Sequence, residues 1–319
     1  MTTHASPAIS VCIVCRNEAD KLAVCLPSVA WADEVVLMDL SSEDGSAAIA
    51  VRFGARVVHR APVPVVEKVR NEVAAYARND WILAIDPDER VSPGLAAELA
   101  RVAGRIDIDA VMIPRRNVDF GFEPSHWMHR FEPQLRMYRR STVRFPEEPN
   151  APPSVPVDRV YRVPPRDDLA LVHDRNRNVA EVLDRVLRYA PAQGQWMAEH
   201  GPPFTARRML SVLGGAAYHQ FLLARPWRDG VPGIFRAAVL MAFKTYVWLA
   251  FWQLSGSPRT AADDRCVRHI GALFEIPRFA LRTLRAPWWL ARRARALSGR
   301  CFSMQRSVHG GSGRGLPRA

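Results

Sequence analysis

Short apolar runs alternate with segments of helical spacing through the first 115 residues. The helical segments carry apolar residues three or four apart, as at Leu22, Cys25, Leu26 and Val29. Strands are predicted over Ile9–Cys15, Glu34–Leu40, Arg56–His59, Trp81–Ile85 and Val111–Pro114. Helices are predicted over Glu18–Val29, Ser46–Phe53, Glu67–Arg78 and Leu95–Val102. Strands that alternate with helices at this spacing form a mostly parallel sheet flanked by helices, so the sequence predicts an α/β fold.

The pattern changes after residue 115. Residues 115–175 are rich in proline and contain two strand-like pieces, Gln134–Tyr138 and Leu169–His173, so an acceptor pocket built from loops is expected there. Helices are predicted over Val179–Tyr189, Thr205–Leu223, Ile234–Leu254 and Arg278–Leu297. Three regions follow: an α/β catalytic domain (1–175), a helical C-terminal region (176–302) and a disordered Gly/Ser/Arg-rich tail (303–319).

Two of the C-terminal helices have a composition that suits a membrane surface. Ile234–Leu254 is apolar but contains Arg236 and Lys244, and a charge at the centre of a span costs about 2.5 to 3.5 kcal/mol. It therefore suits a helix that lies at an interface or against another helix. Arg278–Leu297 interleaves Trp288 and Trp289 with arginine, as expected of a surface for anionic lipid. The alternative is a bundle packed on the main domain with a solvated arginine face.

Most of the net charge of +12 is located in the C-terminal part of the chain. Residues 255–319 hold thirteen arginines and three acids, so the rest is nearly neutral, which argues against a simple nucleic-acid-binding protein. Five cysteines, an odd number, without a secretory signal favour reduced thiols and a cytoplasmic location. Cys12 and Cys15 lie three apart on one strand and face opposite sides, which favours buried thiols over a zinc or redox pair.

Acidic and amide side chains follow three predicted strands where each strand ends. These are Asn17-Glu18, Asp39, and Asp86 with Asp88. Ligands bind at the carboxyl ends of parallel strands. Two carboxylates two residues apart can share one Mg²⁺ or Mn²⁺ that grips a diphosphate, although a solvated acidic turn explains the same residues. Arg70 and Asn71, on the helix before the acidic strand, are expected to face phosphate.

These segments resemble family 2 glycosyltransferases of the GT-A fold, which is Rossmann-like. The family's opening strand with its Asn-Glu pair is similar to Ile13–Glu18, its V-V-D-S-x-S-x-D segment to Val35–Asp44, and its R-N…D-W-I-L-x-L-D-A-D-E-R segment to Arg70-Asn71 with Asp80–Arg90. Within the family, the bacterial lipopolysaccharide-core subgroup is the most similar, through Gln134–Arg140 and Arg228–Gly233. The likeness extends from about residue 9 to 254, and Pro87 replaces the usual small residue between the acids.

The resemblance implies a role for each matching residue. Asn17, Glu18 and Asp39 hold the nucleotide, Asp86 faces the sugar or ribose, and Asp88 binds Mg²⁺ or Mn²⁺. A hexosyl group passes with inversion from a nucleotide-sugar donor to a hydroxyl of a lipid-linked or envelope glycan.

The acceptor side departs from the subgroup, whose V-H-E segment has no clean counterpart. Arg144–Asn150 occupies that region, which makes Glu147 or Glu148 the candidate catalytic base, with solvated loop acids as the alternative. His173 either lines the site, as a histidine of the subgroup does, or is a core histidine.

Other classes of protein account for less of the sequence. A nucleic-acid-binding protein that uses the arginine-rich tail leaves Asp39, Asp86 and Asp88 unexplained. A sugar nucleotidyltransferase normally has a Gly-rich phosphate loop and an activating lysine, which are absent after Ile13. A noncatalytic scaffold of the same fold remains if no base is present. We therefore expect a glycosyltransferase at the inner face of the cell membrane, without a nucleic-acid partner.

Overall fold

The computed structural model describes residues 8–125, 130–269 and 271–272. The strands it describes are β1 (Ile9–Cys15), β2 (Glu34–Asp39), β3 (Arg56–His59), β4 (Trp81–Ile85), β5 (Glu89–Val91), β6 (Ala110–Asp119), β7 (Phe131–Arg139), β8 (Val160–Arg162) and β9 (Leu171–Asn176). The helices are α1 (Ala19–Cys25), α2 (Ser46–Arg52), α3 (Glu67–Ala75), α4 (Pro93–Ala103), α5 (Val179–His200), α6 (Ala206–Ala217) and α7 (Gly230–Leu254). Residues 261–269 are also helical.

The described strands form one sheet in the order β3-β2-β1-β4-β7-β6-β9-β5, with β8 beside β6. The first four strands are parallel, and β7 and β5 run against the others. Cys15 pairs with Asp39, and Ile13 pairs with Ile85. The register therefore brings the carboxyl ends of β1, β2 and β4 to one edge. The expected mostly parallel α/β sheet, flanked by helices and followed by a helical region, is confirmed.

Helices cover both faces of the sheet. On one face Leu22 of α1 and Leu95 and Leu99 of α4 belong to a buried core, and on the other Val69 and Val73 of α3 do. Strand β4, at the centre, is buried at every residue, which explains its unbroken apolar sequence. The sheet is therefore a fixed platform for the loops at its carboxyl edge.

The cysteines of β1 lie in different cores. Cys12 belongs to the core under α3 and Cys15 to the core under α1 and α4, so their side chains point to opposite faces. Both thiols are free and buried. Burial raises the pKa of Cys12 to about 12, so the thiol stays protonated. These are the buried thiols that the alternation of the strand predicts.

The helical region differs from its predicted bounds. Helix α5 continues through Pro191 to His200, eleven residues past the expected end at Tyr189. It packs along α7, where Gly194 lies against Ala250. The predicted helix Thr205–Leu223 consists of α6 followed by a π turn, Tyr218–Leu223. Packing between helices thus sets these ends, which an apolar pattern does not specify.

Helix α7 is the apolar helix noted in the sequence. Together with the turn before it, Pro226–Leu254 is long and apolar enough to span a bilayer by length and composition, a test that a core helix also passes. Arg236, one of the two charged residues within α7, is buried and pairs with Asp229 at 2.8 Å and with Asp119 at 3.8 Å. The arginine therefore ties α7 to the end of β6.

Residues Met1–Pro258 form one compact unit and Arg259–Ala319 another. The boundary between a catalytic and a helical region near residue 175 stays a prediction. The proposed basic helix Arg278–Leu297 and the tail Ser303–Ala319 lie outside the described residues.

Candidate functional site

The loops that follow β1 and β2 are tied to each other. Asn17 and Ser41 have the positive φ angles 54° and 56°, a conformation that asparagine tolerates better than most residues. The backbone N–H of Asn17 donates to Ser42 Oγ at 2.9 Å, and Asn17 Oδ1 accepts from the Glu43 N–H at 2.8 Å. Asn17 therefore shapes the two loops that border the edge of the sheet.

Glu18 adds a carboxylate beside this loop. Its backbone N–H donates to Ser46 Oγ, and its side chain pairs with Lys21 at 2.9 Å. Burial raises the pKa of Glu18 above its ordinary value despite Lys21, and the negative charges of Asp88 and Asp86 raise it further. Glu18 thus shares one electrostatic environment with the acids that follow β4.

Asp39, the last residue of β2, is almost fully buried. Its carboxylate accepts from the Ser42 N–H at 3.3 Å and lies 3.2 Å from Nδ1 of His59. The imidazole of His59 is largely exposed. The carboxylate is therefore held at the edge of the sheet, between the loop after β2 and the end of β3.

Two arginines contact Asp86, which directly follows β4. Arg136 Nη2 lies 2.5 Å from one carboxylate oxygen, and Arg70 Nη2 lies 3.8 Å from the other. Burial opposes ionisation of Asp86, but the charge of Arg136, aided by Arg70, outweighs it and lowers the pKa of the carboxyl below its ordinary value. Asp86 is therefore a fixed anion, and about a third of its side chain, 32%, is exposed.

Glu89 contacts both Asp86 and its partner Arg136. Its side chain is fully buried; Oε2 accepts from the backbone N–H of Asp86 at 2.9 Å, and Oε1 accepts from Arg136 at 2.8 Å. Arg115 lies 3.4 Å from the same Oε1 and pairs with Glu132 at 2.6 Å. Glu89 and Arg136 thus fix both the backbone and the side chain of Asp86.

Sequence reasoning did not assign Arg136, Arg115 or Glu89 to the site. The available signal was position: Arg136 stands between Leu135 and Met137 on β7, where the neighbours are buried. A charged residue in such a strand needs a buried partner.

Asp88 lies against His173 of β9. Nε2 of His173 is 3.5 Å from Asp88 Oδ2, and Arg185 of α5 is 3.8 Å from the same oxygen. Burial opposes ionisation of Asp88, but the hydrogen bond and the positive charge of a protonated His173 outweigh burial and lower the pKa of the carboxyl. Strand β5 pairs with β9 so that Glu89 stands opposite His173, which explains how residues distant in sequence meet.

The other ring nitrogen of His173 is already held. Nδ1 lies 2.7 Å from Oδ1 of Asn117, whose amide nitrogen donates to Glu132 at 3.3 Å. This assignment of the amide leaves the proton on Nδ1 whenever the imidazole is neutral. In that form the lone pair of Nε2 faces a carboxylate oxygen, and two such atoms attract a cation between them.

The spacing of Nε2 and Oδ2 fits a small divalent ion. Ligands at about 2.1 Å from one ion lie about 3 to 3.5 Å apart. Within the described ranges no group of three or more His, Cys, Asp or Glu side chains is arranged to hold a metal. Mg²⁺ commonly uses one or two carboxylates and takes its other ligands from substrate phosphates and water. Asp88 and His173 therefore suit an ion that arrives with a diphosphate.

Arg70 and Asn71 act differently from each other. Arg70 faces Asp86 and lies 5.2 Å from the centre of the Phe145 ring. Asn71 instead bonds the backbone of Phe145 twice: its Nδ2 donates to the carbonyl at 2.7 Å, and its Oδ1 accepts from the N–H at 3.0 Å. Only Arg70 thus points toward the acids, and Asn71 anchors the loop that carries Glu147 and Glu148.

Glu147 and Glu148 are exposed on that loop. Across the described chain, neither carboxylate takes part in a hydrogen bond or an ion pair that fixes it. The neighbouring Asn150 N–H donates to the buried Glu67 at 3.1 Å, so the loop itself is attached to α3. The two acids are therefore available to an incoming molecule.

An α/β sheet with acidic side chains at its carboxyl edge is the arrangement of nucleotide-binding α/β proteins. The model of glycosyl transferase family 2 matches residues 10–169, half of the chain. The chain belongs to this family and is a glycosyltransferase by class. The match covers β2 to β8 and all but the first residue of β1, and it leaves out His173 and Arg185 of the site.

Two relatives overlap the chain to different extents. Over 135 residues the chain is 31% identical to a TPR repeat-containing protein of Synechococcus elongatus, covering 41% of the chain and 34% of that protein. It is 23% identical over 258 residues to an uncharacterized glycosyltransferase of Rickettsia conorii, covering 78% of the chain and 91% of the relative. The chain thus spans about a third of the first relative and most of the second.

Two solved structures overlap the chain at low identity and low TM-score. S. aureus TarS 1-349 in complex with UDP-GlcNAc has a TM-score of 0.44 and 14% identity, covering 78% of this chain and 91% of that chain. Glucosyl-3-phosphoglycerate synthase from Mycobacterium tuberculosis, in complex with Mn²⁺, UDP and glucosyl-3-phosphoglycerate, has a TM-score of 0.39 and 18% identity, covering 63% of this chain and 82% of that chain.

Proposed function

We propose that this glycosyltransferase transfers a hexosyl group from a nucleotide-diphosphate sugar to a hydroxyl of a lipid-linked or envelope glycan, with inversion, as in the lipopolysaccharide-core subgroup. The observation that carries the proposal is the meeting of Asp88 and His173, 3.5 Å apart, at the sheet edge that also holds Asp39 and Asp86. A noncatalytic scaffold has no need for two cation-binding groups beside a fixed carboxylate.

The nucleotide-sugar lies across the carboxyl ends of β1, β2 and β4. Asn17, Glu18 and Asp39 bind the nucleoside, with the buried carboxylate of Asp39 accepting hydrogen bonds from base or ribose. Asp86, held by Arg136, accepts from hydroxyl groups of the ribose or the sugar. Arg70 offers its guanidinium to the diphosphate. Asn71, grouped with Arg70 from the sequence, acts on this site only through Phe145.

Asp88 and His173 hold Mg²⁺ or Mn²⁺ in this proposal. When bound, such an ion neutralises the charge that develops on the departing nucleoside diphosphate. Asn117 keeps the Nε2 lone pair of His173 directed at the ion site, and Arg185 adds a positive charge beside Asp88. The arrangement supports a sugar nucleotide over a nucleic acid, because its acids disfavour a polyanion that brings no cation.

Inversion requires the acceptor oxygen to attack the anomeric carbon from the side opposite the diphosphate. A carboxylate must remove the hydroxyl proton as the new bond forms. Glu147 and Glu148 are the candidates because their loop starts at Phe145, against Arg70, and leaves both side chains accessible. One of the two acts as the base.

The acceptor also determines where the enzyme works. A lipid-linked acceptor places the protein on the cytoplasmic side of the cell membrane, at an anionic surface. Two features of the sequence support this location: the apolar helix α7 and the alternation of arginine and tryptophan within 278–297.

Titration with uridine and guanosine diphosphate sugars, with and without Mn²⁺, tests the proposal. We expect one of the nucleotides to bind by calorimetry in the micromolar to millimolar range usual for enzyme substrates, and to bind tighter when Mn²⁺ is present. Chelation of the metal should reverse the gain. If no nucleotide-sugar binds with or without metal, the chain is a scaffold of the family and not an enzyme.

A further inference from the structure

Helix α6 and the π turn after it have an apolar sequence without a core. Among the twelve residues of α6 only Ala206 is buried, and in the turn Tyr218–Leu223 only Gln220 is buried. Apolar side chains are exposed along this segment and at the start of α7. We call six of them the apolar patch: Val212, Tyr218, Leu222, Leu223, Trp227 and Val231.

The patch is distributed over consecutive short elements of the chain. Tyr218 and Leu222 lie in the π turn, Trp227 in the 3₁₀ turn Pro226–Asp229 and Val231 in the first turn of α7. Trp227 is 54% exposed and Val231 82%. Large apolar side chains rarely gather on a soluble surface unless that surface meets a partner.

The exposed charged side chains between Gly201 and Pro258 are basic. From Gly201 to Pro258 the only acidic residue is Asp229, and its carboxylate is bound to Arg236 and Ser125. Four exposed arginines flank the patch, at positions 207, 208, 225 and 228. None of the four forms an ion pair with another described residue, so their charges are available to an anionic partner.

We propose that the apolar patch and its four arginines dock on an anionic lipid bilayer. Exposed tryptophan and leucine beside arginine suit the boundary between headgroups and acyl chains. A second copy of the chain would bring the same positive charges to the contact, so self-association is disfavoured where anionic lipid is favoured. This inference rests on the proposed function for its lipid-linked acceptor, but it concerns a surface separate from the residues that bind the nucleotide.

Docking here also bears on the site. Helix α7 begins at the patch and is joined through Arg236 to Asp119, at the end of β6. Strand β6 carries Asn117, which holds His173. The proposed docking surface is therefore connected to Asp88 and His173 through one helix and one strand.

Vesicle flotation with the full chain tests the proposal. Vesicles of phosphatidylcholine are compared with equimolar phosphatidylcholine and phosphatidylglycerol. Since each arginine near an anionic surface changes partition about fivefold, we expect Arg208→Gln with Arg228→Gln to weaken binding about 25-fold. Val231→Ser should weaken it further by removing inserted apolar area. Residues 259–319 are present in every variant, so their own contribution stays constant.

Two control variants match these changes. Arg52→Gln with Arg162→Gln removes two exposed arginines elsewhere, and Ile106→Ser removes an isoleucine that is 88% exposed. The proposal is overturned if the wild-type chain ignores anionic vesicles, if the patch and control variants lose binding equally, or if the patch variants change only the oligomeric state. Calorimetry with nucleotide-sugar and no vesicles tests the proposed function independently.

Discussion

Nε2 of His173 faces Oδ2 of Asp88 across 3.5 Å, while Nδ1 of the same ring is held by Asn117 at 2.7 Å. Each partner comes from a different part of the chain, and the pairing of β5 with β9 brings them together. From the sequence, His173 is either a core histidine or a residue that lines the site. Its contact with Asp88 brings the ring against a proposed metal ligand, and the role of the histidine stays a prediction that the next variants test.

Replacing either partner should abolish metal-dependent nucleotide binding. We expect His173→Gln and Asp88→Asn each to weaken Mn²⁺ binding in the presence of nucleoside diphosphate by at least about 100-fold, because the loss of an orienting group alone costs about 10- to 100-fold. His200→Gln, at the exposed end of α5, is the matched control. Mn²⁺ titration followed by electron paramagnetic resonance measures the effect. Unchanged affinity in His173→Gln would remove the histidine from the metal site.

The base should be separable from the groups that bind the sugar donor. We expect Glu147→Gln or Glu148→Gln to lower kcat about 10²- to 10⁴-fold, the usual contribution of a general base, with nucleotide affinity unchanged. The other of the two should keep most of the activity, since one proton is removed in each turnover. If both variants turn over at the wild-type rate, the base lies elsewhere and these are solvated loop acids.

Asn71 should behave as a residue that anchors a loop. Its amide makes two hydrogen bonds to the backbone of Phe145, and a buried backbone group that loses its partner costs about 1 to 3 kcal/mol. We therefore expect Asn71→Ala to lower the free energy of unfolding by about that amount and to reduce turnover, with little change in nucleotide affinity.

Arg70→Gln is the matched comparison for Asn71→Ala, since Arg70 contacts Asp86. It should weaken nucleotide binding and leave the position of the loop unchanged. Calorimetry and chemical denaturation separate the two outcomes. A large loss of nucleotide affinity in Asn71→Ala would return Asn71 to the group of residues that touch the sugar donor.

The sequence predicts the central strands well and the site only in part. Strands β1, β3 and β4 have their expected bounds. Strands β1 and β4 lie inside the parallel part of the sheet, where buried strands read as short apolar runs, whereas β3 is its edge strand and is partly exposed. Strand β6 was expected to end at Pro114 but continues to Asp119. Its last residues include Arg115, which contacts Glu89, and Asn117, which contacts His173. Because these residues are polar, the end of the strand does not appear as an apolar run.

The same reason explains the missing site residues. Acids at strand ends are visible in a sequence, because the carboxyl edge of a parallel sheet is where ligands bind. Arg136 and Glu89 support those acids from within the fold, and their partners lie about fifty residues away along the chain. Such pairings follow from the register of β7 and β9, which no local pattern specifies.

The contact between α5 and α7 depends on one glycine. A Cβ atom on Gly194 would lie 2.7 Å from Cβ of Ala250 and 2.9 Å from the carbonyl oxygen of Val247. Gly214 on α6 is also helical, but a Cβ atom there would meet nothing within 4 Å. The two glycines therefore give a matched pair in which only the packing differs.

Gly194→Ala should destabilise the protein, and Gly214→Ala should stabilise it. Alanine improves helix propensity by about 0.5 to 1 kcal/mol at either position. At Gly194 a clash with backbone and a buried side chain opposes this gain, and overpacking of this kind costs about 1 to 3 kcal/mol. Chemical denaturation of both variants measures the difference, which isolates the clash because the change in propensity is shared. Equal stabilisation of the two would mean that α5 and α7 separate easily, and that the charge contacts of Arg236, not close packing, hold α7 to the sheet.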